Sequence, residues 1–301
     1  MKRIVLVITA MFLLMFTLTA CSQQSATALL SRKWDKNRQD FYYDVYETVD
    51  GEKKLIGGMR LYMQYYNYTD VETKGRGIIP SFKGHVTAYT VNMTLGGEPV
   101  TIESEAVILG DGSFKPKYSY KKITEGDNLV YEINAEYTST WISKNYEYTL
   151  KRGGKDDVSG KMKLNGTYYD NEMLFALVRA CPLDDMGDDL NLAINVASPL
   201  DDLKNMIAMK VINVEGTAVV YQKVSALERE EGLGEEDFIS VSDAKHFKYV
   251  PAKNDGSSGM EMFFAKTEDF MFSNKPTYIP VLMRQNGLEY VLCKTSEAIA
   301  V

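Results

Sequence analysis

The sequence predicts a mainly β (α+β) protein in which one large antiparallel sheet curves around a single buried helix. Three observations support this prediction. From residue 41 onward, the chain consists of short runs rich in aromatic and β-branched residues, many of which alternate polar and apolar positions, as strands do. Gly, Asp and Asn separate these runs at steady spacing, which is typical of a meander. One segment, residues 171–180, breaks the two-residue period and resembles a helix.

The first half of the predicted meander contains eight strands with clear turns between them. Asp50-Gly51 is a strong two-residue hairpin turn, because both of its positions require a positive φ. Gly57-Gly58 falls inside the next run and predicts a bulge or a sharp bend. The predicted strands are 41–49, 54–65, 85–95, 100–109, 114–122, 129–137, 141–151 and 158–164.

The helix is predicted from Asn171 to Ala180. Asp170 or Asn171 is a suitable N-cap, and Glu172 suits the positive end of the helix dipole. Pro182 ends the segment. The helix is apolar almost all round, and such a helix is buried rather than laid on a surface. One buried helix among many strands therefore indicates a sheet that wraps around it.

The second half of the chain returns to strands. A hairpin is predicted across Glu215-Gly216, with its arms at 201–214 and 217–224. The remaining strands are predicted at 238–241, 245–253, 259–266, 278–284 and 289–293. We detect no internal repeat, and we predict one β-rich domain over residues 41–301, with a split near Pro182 as the alternative.

The amino terminus has the layout of a secretory signal peptide. Lys2 and Arg3 precede an uncharged, largely apolar run that ends in Leu18-Thr19-Ala20-Cys21. This ending resembles the lipobox of bacterial lipoproteins. The resemblance implies removal of residues 1–20, lipidation of Cys21, and a spacer over 21–40 that leads to the folded domain. It also implies a cell-envelope protein on the extracytoplasmic face of the cell membrane or outer membrane. An ordinary cleaved signal and an uncleaved helical anchor stay open as alternatives.

A second resemblance concerns the folded part. The segment 169–179, Tyr-Asp-Asn-Glu-Met-Leu-Phe-Ala-Leu-Val-Arg, resembles the helix of the DUF3108 family, and segments 245–250, 262–264 and 272–281 agree with its last strands in outline. That family comprises exported β-rich proteins of unknown function. Its sheet is similar to the half-barrel of the LolA/LolB lipoprotein carriers, which holds acyl chains. The resemblance therefore implies a half-barrel and brings no catalytic residues with it.

Charge and cysteine content narrow the possible functions. The formal net charge is -7, which argues against nucleic acid as a partner, because such proteins present clustered Lys and Arg. Apart from Cys21, the chain has two cysteines, Cys181 and Cys293. They form either one disulfide or two buried free thiols, and spacing along the chain does not decide between these alternatives.

No catalytic or metal-binding motif is recognisable. His85 and His246 stand alone, outside any zinc-ligand spacing. The acidic stretch 184–189 does not match the spacing of a calcium loop. No cofactor and no metal are therefore predicted.

The most informative remaining signal is aromatic. The chain contains 20 Tyr and 12 Phe, and on one face of a curved sheet such residues could line an apolar cleft. Tyr62, Tyr65, Tyr89 and Phe175 are the candidate lining residues. We expect a non-catalytic envelope protein that binds a lipid-like ligand or a protein partner there. The alternatives are a structural or interaction subunit with a filled core, and a hydrolase with loop-borne Ser, His and Asp.

Overall fold

The structure is a computed structural model of the chain. It describes residues 38–140, 143–164, 168–181, 183, 192–196, 207–229, 231–251, 259–266 and 278–298. The leader, Cys21 and residues 22–37 of the predicted spacer lie outside these residues, whereas residues 38–40, predicted as the end of the spacer, belong to the first strand. Within the described ranges, no helix is both long enough and apolar enough to cross a bilayer.

Most of the described residues belong to strands connected by turns. The first eight strands are β1 (Arg38–Val49), β2 (Glu52–Thr73), β3 (Gly77–Leu95), β4 (Glu98–Leu109), β5 (Pro116–Glu125), β6 (Asn128–Ser139), β7 (Lys144–Arg152) and β8 (Val158–Lys163). A short 3-10 turn, η1 (Asn171–Met173), leads into the helix α1 (Leu174–Arg179). The later strands are β9 (Leu192–Val196), β10 (Ile207–Gln222), β11 (Phe238–Pro251), β12 (Met260–Lys266), β13 (Tyr278–Gln285) and β14 (Leu288–Ala298).

These described strands form one antiparallel sheet of 14 strands, which confirms the predicted fold class. From one edge, β8 to β1 follow in reverse chain order, and β14 to β9 continue to the other edge. The first and last strands therefore pair in the middle of the sheet, with Phe41 opposite Thr295. The helical segment contacts β3, β4 and β5 on one side, and β9 and β13 on the other. Contact with both halves requires the sheet to curve around the helix.

The predicted buried helix is confirmed. Asp170 is its N-cap, and the Asp170 carboxylate accepts a hydrogen bond from the backbone N–H of Glu172 at 2.7 Å. Every residue from Leu174 to Val178 is buried. We call the sheet face that carries this helix the inner face. Most of the hydrophobic core lies there, between the helix and both halves of the sheet.

The bulge predicted at the twin glycines is also present. The register between β1 and β2 shifts between Val45 and Tyr46, immediately beside Gly57. On its other side, Gly57 lies opposite Met93 of β3. A Cβ atom at Gly57 would come within 2.1 Å of the carbonyl oxygen of Asn92. Glycine is therefore required here by the close approach of the neighbouring backbone.

The strands β2 and β3 are much longer than predicted, with 22 and 19 residues. Their hairpin is bent where Tyr68 and Ser81 adopt positive φ angles of 56° and 47°. Beyond the bend, apolar residues of the hairpin pack against the outer face of β4 and β5. This second, smaller core contains Val71, Ile79, Phe82, Val86, Val107, Tyr118 and Tyr120. Part of the outer face is thus covered by the chain itself.

The hairpin predicted across Glu215-Gly216 is wrong, because β10 runs through both residues as one strand. The register between β10 and β11 shifts between Val214 and Thr217 and again between Thr217 and Val219. Glu215-Gly216 therefore lies in an irregular, bulged part of the strand. A bulge and a turn have the same local preference for glycine, and only the pairing partner distinguishes them. The separate predictions 238–241 and 245–253 likewise belong to one strand, β11.

Candidate functional site

A cleft opens on the inner face beside the helix and encloses about 460 Å³. Strands from both halves of the sheet form its walls, and Phe175 of the helix forms one side. Most of its lining is apolar or aromatic. The lining residues are Glu47, Met59, Tyr89, Val91, Met93, Leu95, Ile102, Lys121, Ile123, Tyr131, Phe175, Met260, Met283, Gln285, Asn286, Leu288 and Tyr290. A cavity of this size and character is typical of sites that hold small molecules.

The walls combine adaptable and rigid side chains. Four methionines line the cleft, namely Met59, Met93, Met260 and Met283. Methionine is unbranched and polarisable, so it can follow the outline of an irregular apolar guest. Aromatic rings supply the rigid part: Tyr89 packs edge-on against Phe175, with ring centroids 6.2 Å apart. The helix and β3 therefore fix one wall, while the methionines can adjust.

Lys121, which lines the cleft, forms a charged pair with Glu172, and we call this side of the cleft the floor. Lys121 Nζ of β5 lies 3.1 Å from Glu172 Oε1 and donates a second hydrogen bond to the Tyr89 hydroxyl at 3.1 Å. The Glu172 carboxylate also accepts hydrogen bonds from Ser104 Oγ at 2.5 Å and from the Tyr89 hydroxyl at 2.9 Å. Side-chain exposure is 18% for Lys121 and 10% for Glu172. The pair is thus largely buried, with its polar atoms mutually satisfied.

Electrostatics keep both partners charged. Burial alone would lower the pKa of Lys121, but Glu172 and Tyr89 raise that pKa well above its usual value. Burial likewise opposes ionisation of Glu172, yet Lys121 and the hydrogen bonds from Ser104, Asn171 and Tyr89 hold the pKa of Glu172 below its usual value. Opposite charges this close favour the ionised form of each other. The floor is therefore an ammonium–carboxylate pair at neutral pH.

A second carboxylate lies behind the first. Asp170 accepts hydrogen bonds from Ser119 Oγ at 2.7 Å and from the Tyr137 hydroxyl, in addition to its helix-capping bond. Burial raises the pKa of Asp170, and the nearby negative charge of Glu172 raises it further. The region around Lys121 therefore contains more acidic than basic groups.

A buried tyrosine, Tyr249, is the strand partner of a cleft residue but does not itself line the cleft. Tyr249 of β11 lies opposite Met260, which lines the cleft. Burial raises the pKa of Tyr249, and Glu172 and Asp170 add to this rise, so its hydroxyl lies in the field of both carboxylates. Among the described residues, that hydroxyl has no hydrogen-bond partner.

The four aromatic residues predicted to line a cleft divide into two groups. Tyr89 and Phe175 lie in its wall. Tyr62 does not, because neighbouring residues on a strand point to opposite faces and Leu61 and Met63 occupy the inner face of β2. Tyr62 lies instead on the outer face, 4.2 Å below the Arg38 guanidinium. Tyr65 packs against His85, with ring centroids 5.0 Å apart, and is not part of the cleft lining.

The two cysteines of the folded part are buried free thiols, so the disulfide alternative is not realised. Cys181 Sγ donates to the Leu177 carbonyl at 3.3 Å, and Cys293 Sγ donates to the Tyr42 carbonyl at 3.2 Å. Burial raises the pKa of both thiols to about 12. Thiols held as neutral hydrogen-bond donors in a core act as small apolar residues.

His246 forms no hydrogen-bonded group with a serine among the described residues. His246 lies on the outer face, with its ring stacked on Phe263 at 4.2 Å and its Nε2 atom 3.8 Å from Glu261 Oε1. Across the described residues, no group of three or more His, Cys, Asp or Glu side chains is placed to hold a metal ion.

A hollow of about 480 Å³ on the outer face is a weaker candidate. Its charged residues already pair with one another: Lys248 with Glu261 at 3.1 Å, and Arg284 with Glu289 at 2.8 Å. A ligand gains little binding free energy from a solvated surface whose charges are already paired. The inner cleft is therefore the candidate functional site.

Comparison with known proteins supports the fold but assigns neither a family nor a function. No family model and no curated protein matches the chain, so membership of the DUF3108 family is not shown. A crystal structure of a β-barrel-like protein of the domain of unknown function DUF1849 from Brucella abortus is similar. The TM-score is 0.50 and the identity 12%, over 88% of this chain and 99% of that one. What the two chains share is a β-barrel-like fold.

Sequence reasoning missed Lys121, Glu172 and Ser104 as parts of the site. The alternation along β5 does not mark Lys121 as a site residue. Lys121 is in phase with Ser119 and Ile123, and the opposite phase carries Tyr118 and Tyr120. Because these two tyrosines form the more apolar phase, alternation alone would place Lys121 on the solvent-facing side. The outer face of β5 is apolar only because the long β2–β3 hairpin covers it.

Proposed function

We propose that the protein is a lipid-anchored lipoprotein of the bacterial cell envelope that binds a lipid-like molecule in the inner cleft and does not transform it. The cleft carries this proposal: it is open, lined largely by methionine, aliphatic and aromatic side chains, and Lys121 and Tyr89 supply polar atoms on one side of it. An apolar chain could lie along the methionines while its polar end meets Lys121 and Glu172. Burying such a chain stabilises the complex by roughly 0.8 kcal/mol per methylene.

The ligand proposal is tested with an uncharged fluorophore. Full-length protein, exchanged from detergent into an amphipathic polymer, is titrated with N-phenyl-1-naphthylamine, whose emission rises in apolar surroundings. We expect saturable binding to the wild type. Ile102→Trp should weaken it by at least about tenfold, or about 1.4 kcal/mol, because the new indole would occupy the cleft beside Ile102.

Thr101→Trp is the matched control. Thr101 is the neighbour of Ile102 on β4 and points to the outer face, where its hydroxyl bonds Asn92. This variant adds the same indole to the same strand and should bind like the wild type. Absence of saturable binding, or equal weakening by both variants, would contradict the proposal and favour a structural subunit.

The anchoring part of the proposal concerns Cys21. In Cys21→Ala we expect most of the protein to move from the membrane fraction to the soluble extracytoplasmic fraction, because the lipid-accepting thiol is lost. Immunoblotting of the separated fractions measures this, with Ser22→Ala as the control that should stay in the membrane. Retention of Cys21→Ala in the membrane would indicate that the apolar run itself is the anchor. The intact mass of the wild type then reports whether Cys21 carries acyl chains.

A further inference from the structure

We infer that the cleft selects an uncharged amphiphile, one with a hydroxyl or amide at its polar end, over a fatty-acid anion of the same length. This inference rests on the proposed function and specifies its ligand class. It depends on the charge balance at the cleft floor.

The first step concerns the cation. Lys121 is the basic residue among the described residues that line the cleft. Its ammonium group already contacts both oxygens of the Glu172 carboxylate, at 3.1 and 3.4 Å, and also the Tyr89 hydroxyl. An incoming carboxylate could not use this charge without displacing Glu172. Displacement would leave one of two carboxylates unpaired in a buried site, which is strongly unfavourable.

The second step concerns the surrounding acids. Asp170 precedes Glu172 by two residues and is itself buried. An anionic head group beside Lys121 would therefore find a cation that is already paired, with the carboxylates of Glu172 and Asp170 close by, and like charges brought together away from water repel.

The third step concerns what the floor can bind. A hydroxyl both donates and accepts a hydrogen bond. It could accept from the Lys121 ammonium and donate to the Glu172 carboxylate without breaking their contact. A neutral hydrogen-bonding head thus matches the site without displacing either partner of the Lys121–Glu172 pair.

The test compares two ligands with one chain length. Dodecan-1-ol and dodecanoate are titrated at pH 8.5 to displace N-phenyl-1-naphthylamine from the full-length wild type. We expect dodecanol to displace the probe at a concentration at least about tenfold lower than dodecanoate. Dodecanoate binding as well as or better than dodecanol would overturn the inference and leave the proposed function standing. If the probe itself does not bind, the proposed function fails instead.

Two variants each raise the net charge of the cleft by one unit, by different routes. Glu172→Gln removes the counter-charge of Lys121, and Ile123→Lys adds an uncompensated cation to the cleft wall. Each should improve dodecanoate binding relative to dodecanol by about tenfold. Because Ile123→Lys leaves the buried pair intact, it provides the test if Glu172→Gln does not fold.

Glu132→Gln is the control for net charge. Glu132 pairs with Lys151 at 2.9 Å on the outer face, so this variant makes the same charge change outside the cleft. It should keep the wild-type ligand order. An unchanged order in both Glu172→Gln and Ile123→Lys, or the same shift in Glu132→Gln, would overturn the inference.

Discussion

Replacing Lys121 with methionine is expected to lower the free energy of unfolding by about 3–5 kcal/mol, the usual cost of leaving one partner of a buried ion pair without its counter-charge. In the Lys121→Met variant, Glu172 would keep its hydrogen bonds from Ser104 and Tyr89 but lose the neighbouring ammonium group. Urea unfolding of the full-length protein, followed by circular dichroism, measures this change.

Two further variants separate charge from packing. Lys121→Met combined with Glu172→Gln leaves no buried charge at this position and should recover at least half of the loss. Lys151→Met removes a lysine from the outer-face pair with Glu132, where the lysine side chain is 43% exposed, and should cost at most about 1 kcal/mol. Equal losses in Lys121→Met and Lys151→Met would contradict a special role for the buried pair.

The effect of Lys121→Met should also depend on pH. In the wild type, folding lowers the pKa of Glu172. The pair therefore stabilises the protein at a pH above the pKa that glutamate has in the unfolded chain. This contribution is lost as the pH falls through the lowered pKa of the folded state. Without Lys121, burial would raise the pKa of Glu172, and the variant would be destabilised as the pH rises. We therefore expect the difference between variant and wild type to be largest near pH 7 and smaller near pH 4.

Gly57→Ala is expected to cost at least about 3 kcal/mol, because a methyl group at this position has no space. Its Cβ atom would lie 2.1 Å from the Asn92 carbonyl oxygen and 2.5 Å from Met93 Cα, and both belong to the backbone of the paired strand. A backbone cannot move aside as a flexible side chain can. Either β2 and β3 separate locally or their register is lost.

Gly58→Ala is the matched control for Gly57→Ala. A Cβ atom at Gly58 would meet Leu227 Cδ1 and the Tyr43 carbonyl oxygen at 3.4 Å, which is ordinary contact. This variant should stay within about 1 kcal/mol of the wild type, since alanine costs less conformational entropy than glycine. Thermal and urea unfolding of both variants provide the comparison. Similar stabilities for the two would show that the β2–β3 pair can widen at Gly57.

The parts of the fold that were predictable from sequence depend on local signals. The meander follows from alternation and turn residues, and the helix from its changed period and its Asp170 cap. Gly57-Gly58 correctly predicted a bulge, because glycine inside a strand is a local signal of irregular pairing. Glu215-Gly216 gave the same kind of signal but led to a wrong hairpin, because the choice between bulge and turn depends on β11, which is distant in the chain.

The site was less predictable, because it depends on which face of each strand is covered. Tyr89 and Phe175 meet because the sheet brings β3 beneath the helix, which no short stretch of sequence encodes. Tyr62 was assigned to the cleft from composition, although the alternation along β2 places it on the other face. Lys121 and Glu172 are 51 residues apart. Their pairing depends on the curvature of the whole sheet.

The pairing of β1 with β14 has a consequence for how the chain is made. The middle of the sheet is built from the two ends of the folded part, and its free edges, β8 and β9, come from the interior of the sequence. The β1–β14 ladder cannot form until β14 has been synthesised, so in a nascent chain one edge of β1 lacks its partner for almost the entire duration of synthesis, although the other edge can pair with β2. Pairing between strands so distant in the chain is slow. Until it occurs, the open edge of β1 is a site at which incomplete chains can aggregate.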